Sequence, residues 1–437
     1  MKRGVLFWVA AMAGLSACAS SRPMPAAENG ASLGGTAVDV SAMDSRRDIV
    51  LAVANPLQPP AMHAGSSLLG YAPARHYGAG QRAAATLAAL RQRYGLREVT
   101  GWPIKALGLY CVVLEPPAGT TREALLKALA SDDRVQLAQP LHDYSVYSQE
   151  PQATSPDNDP YANLQRGYVE TDAAAAHRFS QGNGVDVAIV DTGVDTAHPD
   201  LRGRIHDLHN LVDDDAAAFN HDSHGTEVAG VIAAVGDNDQ GIVGIAPGAT
   251  LSVYKACWYL PAPSIGARCN SFTLAKALAA IIDTDVRIVN LSLGGPADPL
   301  LTRLLARILQ QDRIVVAALP PDGSVDGFPV DAPGVIVVRM SARSTASHGV
   351  VSAPGNDILT TQPGGGYDFT SGSSMAAPHV SGIAALLLSL APALDARTVH
   401  DLLLRTSRIS HGMLEVNAEA AVATLRQTQR ADVAGKR

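Results

Sequence analysis

The sequence predicts an α/β fold: a doubly wound, mostly parallel sheet with helices on both faces, preceded by a small α+β module. Two observations carry this. Five runs, Val185–Val190, Leu251–Ala256, Ile288–Leu293, Ile314–Ala318 and Val335–Val338, are almost unbroken in their hydrophobicity, as parallel strands covered on both faces must be. Helical segments fall between and after them, at Gly225–Ala234, Phe272–Ile282, Leu300–Gln310 and Met375–Leu390, and strands alternating with helices build a parallel sheet. The composition agrees with a large globular domain and a smaller one: 437 residues, 47% hydrophobic and 17% charged. Aromatic residues are only 5%, against 39 glycines and 27 prolines, so small side chains fill much of the core and tight turns are frequent. The net charge is −7 with no basic stripe, which excludes nucleic acid as an expected partner.

From the N-terminus, Lys2 and Arg3 precede an apolar run from Val5 to Leu15. It is shorter than the roughly 18–20 residues a bilayer needs and reads as a signal peptide, residues 1–18. Its end, Leu15-Ser16-Ala17-Cys18, resembles a bacterial lipoprotein signal with Cys18 as the lipidated residue. Ala19, rather than Asp, then favours the outer membrane. An ordinary signal peptide with a chance cysteine is the alternative. Residues 19–75, rich in Ala, Ser, Gly and Pro without periodicity, read as a flexible tether.

Residues 76–147 read as the α+β module. Gln81–Tyr94 places Leu87, Leu90 and Tyr94 at helical spacing. Glu98–Thr100 and Leu109–Leu114 are strands, the second closed by Glu115-Pro116-Pro117. Thr121–Ala130 is a helix capped by Thr120 or Thr121, with Leu125, Leu126 and Leu129 as its apolar face. Val135–Ala138 is a strand, and an extended piece runs on to Tyr147. A proline-rich linker, 148–160, leads to the main domain at 161–425, and 426–437 reads as a disordered tail.

The cysteines sort by position. Cys111 lies in an apolar run and reads as a buried thiol. Cys257 and Cys269 are twelve apart, with Pro261, Pro263 and Gly266 between them. In an oxidising compartment that pattern reads as a disulfide closing a surface loop, with two free thiols as the alternative.

Three blocks carry chemistry: Val187-Ala188-Ile189-Val190-Asp191-Thr192-Gly193, then His224-Gly225-Thr226-Glu227-Val228-Ala229-Gly230, then Ser371-Gly372-Ser373-Ser374-Met375-Ala376-Ala377-Pro378-His379-Val380. A serine hydroxyl is a weak nucleophile until a base takes its proton. Asp191 ends a strand, so it sits at the carboxyl edge where such sheets bind ligands. There it can accept from His224 and fix its tautomer. Ser374 opens a helix, whose positive end faces the place where an oxyanion would form. Asp, His and Ser in this order are one of the chain orders in which a nucleophilic triad occurs.

Residues 160–425 resemble the catalytic domain of the subtilisin-like serine peptidases. The three blocks match its signatures, and Gly244-Ile245-Ala246-Pro247, Asn290-Leu291-Ser292-Leu293-Gly294-Gly295, Phe328-Pro329 and Ala353-Pro354-Gly355 match further ones in order. The resemblance implies a serine endopeptidase acting on polypeptides, with Asp191, His224 and Ser374 as its triad and no cofactor required. Ser292, Leu293 and Gly294 would form the edge to which an extended substrate adds as a strand. Ala317 and Ala318 would help wall the primary specificity pocket and Gly327 would lie at its base. With no carboxylate at that base, an apolar side chain is favoured. The loop closed by Cys257 and Cys269 falls beside the opposing edge. The module resembles the family's inhibitory propeptide, cut by the enzyme itself within Asp143–Ser155. The expected partners are thus polypeptide substrates, the chain's own propeptide, and a membrane through a lipid anchor until processing. A monomer is expected, in the outer membrane or periplasm, or outside the cell after processing.

The chain departs from the family at Glu227, where His is common, at Ser373, where Thr is usual, and after the fourth long strand. There Ala-Ala-Gly-Asn is expected, its Asn donating to the oxyanion; this chain has Ala317-Ala318-Leu319-Pro320-Pro321-Asp322-Gly323. A gap-free reading puts Pro321 in the place of Asn, with neither a side-chain donor nor an N–H. Losing such a donor costs about 10²–10³ in rate. Asp322, if protonated, or a backbone N–H of the loop could substitute. Asp200, Asp237 and Asp239 fall near positions that hold a structural calcium in some relatives, and a solvated acidic turn is the equal alternative. The rival to an active peptidase is a catalytically silent peptide-binding lipoprotein of the same fold, which rests on Pro320-Pro321 alone.

Overall fold

Six residues of the stretch read as tether, Ile-Val-Leu-Ala-Val-Ala, form strand β1 (Ile49–Ala54), with five of the six buried. The computed structural model describes residues 40–56, 78–147, 161–213, 215–260, 266–341, 349–410 and 412–435. Cys18 and the linker at 148–160 lie outside them. The module continues with α1 (Gln81–Tyr94), β2 (Arg97–Ile104), β3 (Leu109–Glu115), α2 (Arg122–Ala130), β4 (Val135–Pro140) and β5 (Asp143–Val146). Thr121 caps α2 by accepting from the Ala124 N–H. The sheet order is β2-β3-β1-β4, with β1 antiparallel to both its neighbours. The tether therefore contributes an inner strand of the module. Its apolar residues are buried on both faces, so β1 lacks the alternation that marks a half-exposed strand.

The main domain begins with α3 (Arg166–Glu170) and α4 (Ala173–His177). Then come β6 (Asp186–Asp191), β7 (Ile205–Asn210), α5 (Ala216–Asn220), α6 (Ser223–Ala233), β8 (Thr250–Lys255), β9 (Cys257–Tyr259), β10 (Ala267–Asn270) and α7 (Ser271–Ile282). Next are β11 (Ile288–Leu291), β12 (Leu293–Gly294), α8 (Pro299–Leu309), β13 (Ile314–Ala318), β14 (Ile336–Met340) and β15 (Val351–Ala353). The hairpin β16 (Ile358–Gln362) and β17 (Gly366–Thr370) leads into α9 (Ser373–Leu390), followed by α10 (Ala396–Thr406), β18 (Arg408–Ser410), β19 (Met413–Glu415) and α11 (Ala418–Gly435).

Seven strands form a sheet of order β15-β14-β13-β11-β6-β8-β7, and every pairing in it is parallel. The strand order reverses around β6. Asp191 thus lies at the carboxyl end of an inner strand, beside the crevice that a doubly wound sheet opens there. Helix α9 is apolar on all sides and long enough to cross a membrane, but it is buried in the core of this fold.

The expected disordered tail is a second correction. Helix α11 runs without a break to Gly435. Ala418, Ala421, Val422 and Leu425 anchor it in the core, and the Arg426 guanidinium lies 4.1 Å from the Phe179 ring centroid. No Gly or Pro interrupts the sequence between Ala418 and Val433, so a helix started by that packing can propagate.

The module sits on α7 and α8. Val50, Ala52, Cys111, Val113 and Tyr144 share one apolar core with Phe272, Leu274, Leu278, Leu300 and Leu304. Polar contacts meet the two helix N-termini, where backbone amides lack partners within the helix. The Ser271 N–H donates to the His142 carbonyl at 3.0 Å, the Ser271 hydroxyl accepts from the His142 N–H at 3.0 Å, and the Leu300 N–H donates to Gln139 Oε1 at 3.2 Å.

Candidate active site

Asp191 Oδ1 accepts from His224 Nδ1 at 2.7 Å, and both side chains are buried. The same oxygen accepts from the Thr192 N–H at 2.7 Å. A carboxylate on Nδ1 fixes the imidazole as the Nδ1–H tautomer and leaves Nε2 able to accept a proton. Nε2 has no hydrogen-bond partner among the described residues. Burial opposes a charge on His224, but Asp191 by its charge and its hydrogen bond outweighs burial, and Glu227 adds to it. The imidazole is therefore held above its ordinary pKa.

The base is placed by ties between the loop after β6 and the start of α6. Gly225 N–H donates to Thr192 Oγ1 at 2.9 Å. Gly193 N–H donates to Asp222 Oδ2 at 2.7 Å, and Thr226 Oγ1 gives the Asp195 N–H an acceptor at 2.9 Å. Asp222 stands at the N-cap of α6, but its side chain caps no helix amide. It turns instead to Lys255 Nζ, 2.6 Å away in a buried ion pair. Lys255 ends β8 directly opposite Asp191. The cap that α6 lacks comes from elsewhere: the His224 N–H donates to the Tyr259 hydroxyl at 2.9 Å. Tyr259 closes β9, which the Cys257–Cys269 disulfide joins to β10 across directly opposed residues.

Ser374 lies in the first turn of α9. Its carbonyl accepts from the Ser292 hydroxyl at 2.8 Å, and that hydroxyl accepts from Asn290 Nδ2 at 2.9 Å. Asn290 Oδ1 accepts from Ser381 at 2.8 Å, one helical stretch further along α9. Ser292 is fully buried and its hydroxyl ties the start of α9 to this segment, while Leu293 and Gly294 pair as a strand edge.

A strand of the chain itself occupies that edge. β5 lies between β12 and β10 in a four-stranded sheet of order β12-β5-β10-β9. Leu293 pairs with Val146 and Gly294 with Ser145 on one side, and Arg268, Cys269 and Asn270 pair with Ser145, Tyr144 and Asp143 on the other. Just beyond β5, the Tyr147 carbonyl accepts a hydrogen bond from the Ser374 hydroxyl. A side chain at Gly372 would collide with that carbonyl, and one at Gly294 with the Tyr147 hydroxyl. Glycine at 372 is therefore a condition of the backbone's approach, and glycine at 294 leaves room for the Tyr147 side chain.

Burial, together with the nearby Asp322 charge, pushes the Tyr147 phenol up to about 12. Asp322 and Pro321 are both exposed on the turn that follows β13. The turn is closed by Gly323 N–H on the Pro320 carbonyl at 2.9 Å, and Asp322 Oδ1 accepts from the Ser324 N–H. Asp322 thus brings a negative charge near the side chain of Tyr147. Gly327, expected at the base of the primary pocket, lies against the Gly295 carbonyl at φ +97°, a left-handed conformation that favours glycine.

The three carboxylates weighed for calcium are not gathered. Asp200 spends Oδ1 on Asn238 Nδ2 at 2.8 Å, and Oδ2 on the Ile242 N–H at 2.8 Å and the Tyr367 hydroxyl at 2.9 Å. Among the described residues no three His, Cys, Asp or Glu side chains are grouped to hold a metal ion.

Sequence reasoning missed Tyr147, Asp222, Lys255 and Tyr259. Lys255 carried a signal, a lone charge closing an apolar run, which is rare unless paired. Tyr259 carried none, since its partner is a backbone amide 35 residues away.

The Peptidase_S8 profile, described as the subtilase family, matches residues 182–432. The chain is 36% identical over 269 residues to the intracellular serine protease of Paenibacillus polymyxa, covering 57% of this chain and 78% of that one. It is 34% identical over 243 residues to thermitase of Thermoactinomyces vulgaris, covering 53% of this chain and 85% of that one. In fold it is similar to fervidolysin from Fervidobacterium pennivorans, with a TM-score of 0.64 over 86% of this chain and 61% of that one, at 23% identity. The chain belongs to the subtilase family and is a serine endopeptidase.

Proposed function

We propose that the chain is a self-processing zymogen whose first substrate is its own module, cut after Tyr147. One observation carries this: β5 lies in the cleft as an added strand and delivers the Tyr147 carbonyl to the Ser374 hydroxyl. In the reaction His224 Nε2 takes the Ser374 proton as Oγ attacks the Tyr147 carbonyl carbon. Asp191 stabilises the imidazolium. The proton then passes to the departing amine, leaving an acyl-enzyme that water hydrolyses by the same steps. The amides at the start of α9 receive the oxyanion, since the first amides of a helix lack partners within it. The 2.7 Å Asp191–His224 contact favours this reading over a silent peptide-binding protein.

The cut module, docked with its new carboxylate at Ser374, then acts as the inhibitor. Export through the signal at residues 1–18, with a lipid on Cys18, completes the proposal: the anchor stays with the module, and the peptidase leaves when the module does.

Expression of wild type and Ser374→Ala, followed by intact mass and a fluorophosphonate probe, tests the reading. Wild type should yield a catalytic fragment beginning at Ser148 and take the label, and Ser374→Ala should stay whole and unlabelled. An unprocessed, unlabelled wild type would sink the proposal, and a cut elsewhere would remove Tyr147 from it.

A further inference from the structure

We propose that Asp298 makes this cleft select a tyrosine as the fourth residue before the cut; the inference rests on the proposed processing and names a preference of that same site. Tyr144 holds that position on β5. It is 1% exposed, and its ring stands edge-on to Phe328 with centroids 5.8 Å apart. A side chain at Gly295 would collide with it. Its hydroxyl reaches past these apolar walls to Asp298 Oδ2 at 3.1 Å. Asp298 is buried and belongs to the main domain, so it remains when the module departs.

The chemistry of Asp298 makes the hydroxyl matter. Its Oδ1 caps α8, accepting from the Leu300 and Leu301 amides at 2.9 and 3.0 Å. Its Oδ2 accepts from Ser271 Oγ at 2.6 Å as well as from Tyr144, with His142 Nδ1 at 3.7 Å. Burial disfavours its charge, but hydrogen bonds outweigh burial and hold it below the usual carboxylate range with the module in place; of the groups responsible, His142 and Gln139 leave with the module, while Ser271 and the Leu301 amide stay with the peptidase. An ionised carboxylate can only accept. The pocket therefore asks its occupant for a donor at the end of a flat ring. Phenylalanine fills the same walls but leaves the carboxylate one donor short. Leucine does that and leaves space as well, and a glutamate meets like charge.

The experiment uses the processed enzyme, titrated for active sites, on anilides of X-Ser-Val-Tyr with X as Tyr, Phe, Leu or Arg. A hydrogen bond to a buried charge should favour Tyr over Phe in kcat/KM by about ten- to hundred-fold. Asp298→Ser keeps a side chain able to cap α8 but shortens it out of reach, and should bring that ratio to within about three-fold. Should this variant fail to fold, the wild-type series still decides. Equal use of Tyr and Phe overturns the inference while leaving the peptidase reading intact. A preference for Arg also overturns it, since charge rather than a hydroxyl would then be read. If no anilide is cut in a Ser374-dependent way, the proposed function fails and this inference fails with it.

Discussion

Lys255→Met should cost far more than a single surface charge. In the folded chain the Lys255 and Asp222 side chains are 2% and 9% exposed, with Nζ and Oδ2 2.6 Å apart. At an effective dielectric of 20 that contact is worth about 6 kcal/mol of attraction, against desolvation of several kcal/mol for each ion. The pair as a whole nets little. Removing one member is different: Asp222 Oδ2 keeps only the Gly193 N–H, and a buried charge robbed of its partner costs about 3–5 kcal/mol. Burial already holds the Asp222 carboxyl above its ordinary range, opposed by Lys255 and the Gly193 amide, and the Asp191 charge raises it further. Without the ammonium it rises more. A folded pKa above the unfolded one means no cost below about pH 4 and a cost that grows as pH rises, levelling once the folded group ionises. Urea unfolding of Lys255→Met on a Ser374→Ala background, which removes self-digestion, should show the full loss at pH 8 and a small one at pH 4.5. The double variant Asp222→Asn/Lys255→Met should recover most of it. A loss below about 1 kcal/mol at pH 8, or one equal at both pH values, would refute this account of the pair.

Three other outcomes are expected. Tyr259→Phe removes the acceptor for the His224 amide, and loss of one helix cap should lower kcat about five-fold with KM for a short anilide nearly unchanged; an unchanged kcat would show that the hydroxyl does not hold the base. Because Asp191 and Glu227 hold His224 above 6.5, the acid limb of kcat/KM should lie above that value. Glu227→Gln should move it to lower pH, and a limb that stays put would remove Glu227 from the base's electrostatics. Glu415 is raised to about 7, by burial first and then by Glu170, with Ser341 and Arg166 opposing. Stability should therefore fall more steeply in wild type than in Glu415→Gln as pH rises from about 4.5 through 7. Melting curves at pH 5 and 8 on the Ser374→Ala background would show this, and parallel pH profiles would exclude it.

The parts of this molecule that were plain in the sequence are those whose cause is local. Asp191 closes an apolar run, His224 and Ser374 begin helices, and Thr121 precedes a run of helix formers, so each could be placed from its neighbours. Strand β1 could not, because Ile49–Ala54 becomes a strand only by pairing with Leu109–Leu114 and Val135–Pro140, far along the chain. Helix α11 beyond residue 425 was hidden for a related reason: its polar sequence offers no apolar periodicity to read, and the packing of Val422 and Leu425 anchors it. The same limit hid the role of Ser292, whose motif marks a substrate edge although its hydroxyl faces the carbonyl of Ser374. Spacing reports which residues assemble, but the direction of each side chain is set by the partner.

The seating of β5 between β12 and β10 also sets a concentration scale. If processing runs as proposed, the cut after Tyr147 leaves module and peptidase as two molecules held by a binding equilibrium. Specific activity then depends on how dilute they are. Crowded near their site of synthesis, the two pieces would rebind faster than substrate arrives and the enzyme would stay quiet. Spread into a larger volume, or once one free peptidase has digested a neighbour's module, the balance tips and each release makes the next one easier. A population of such molecules would switch on late and together, with a delay set by the dissociation rate of a single strand and its two helix contacts.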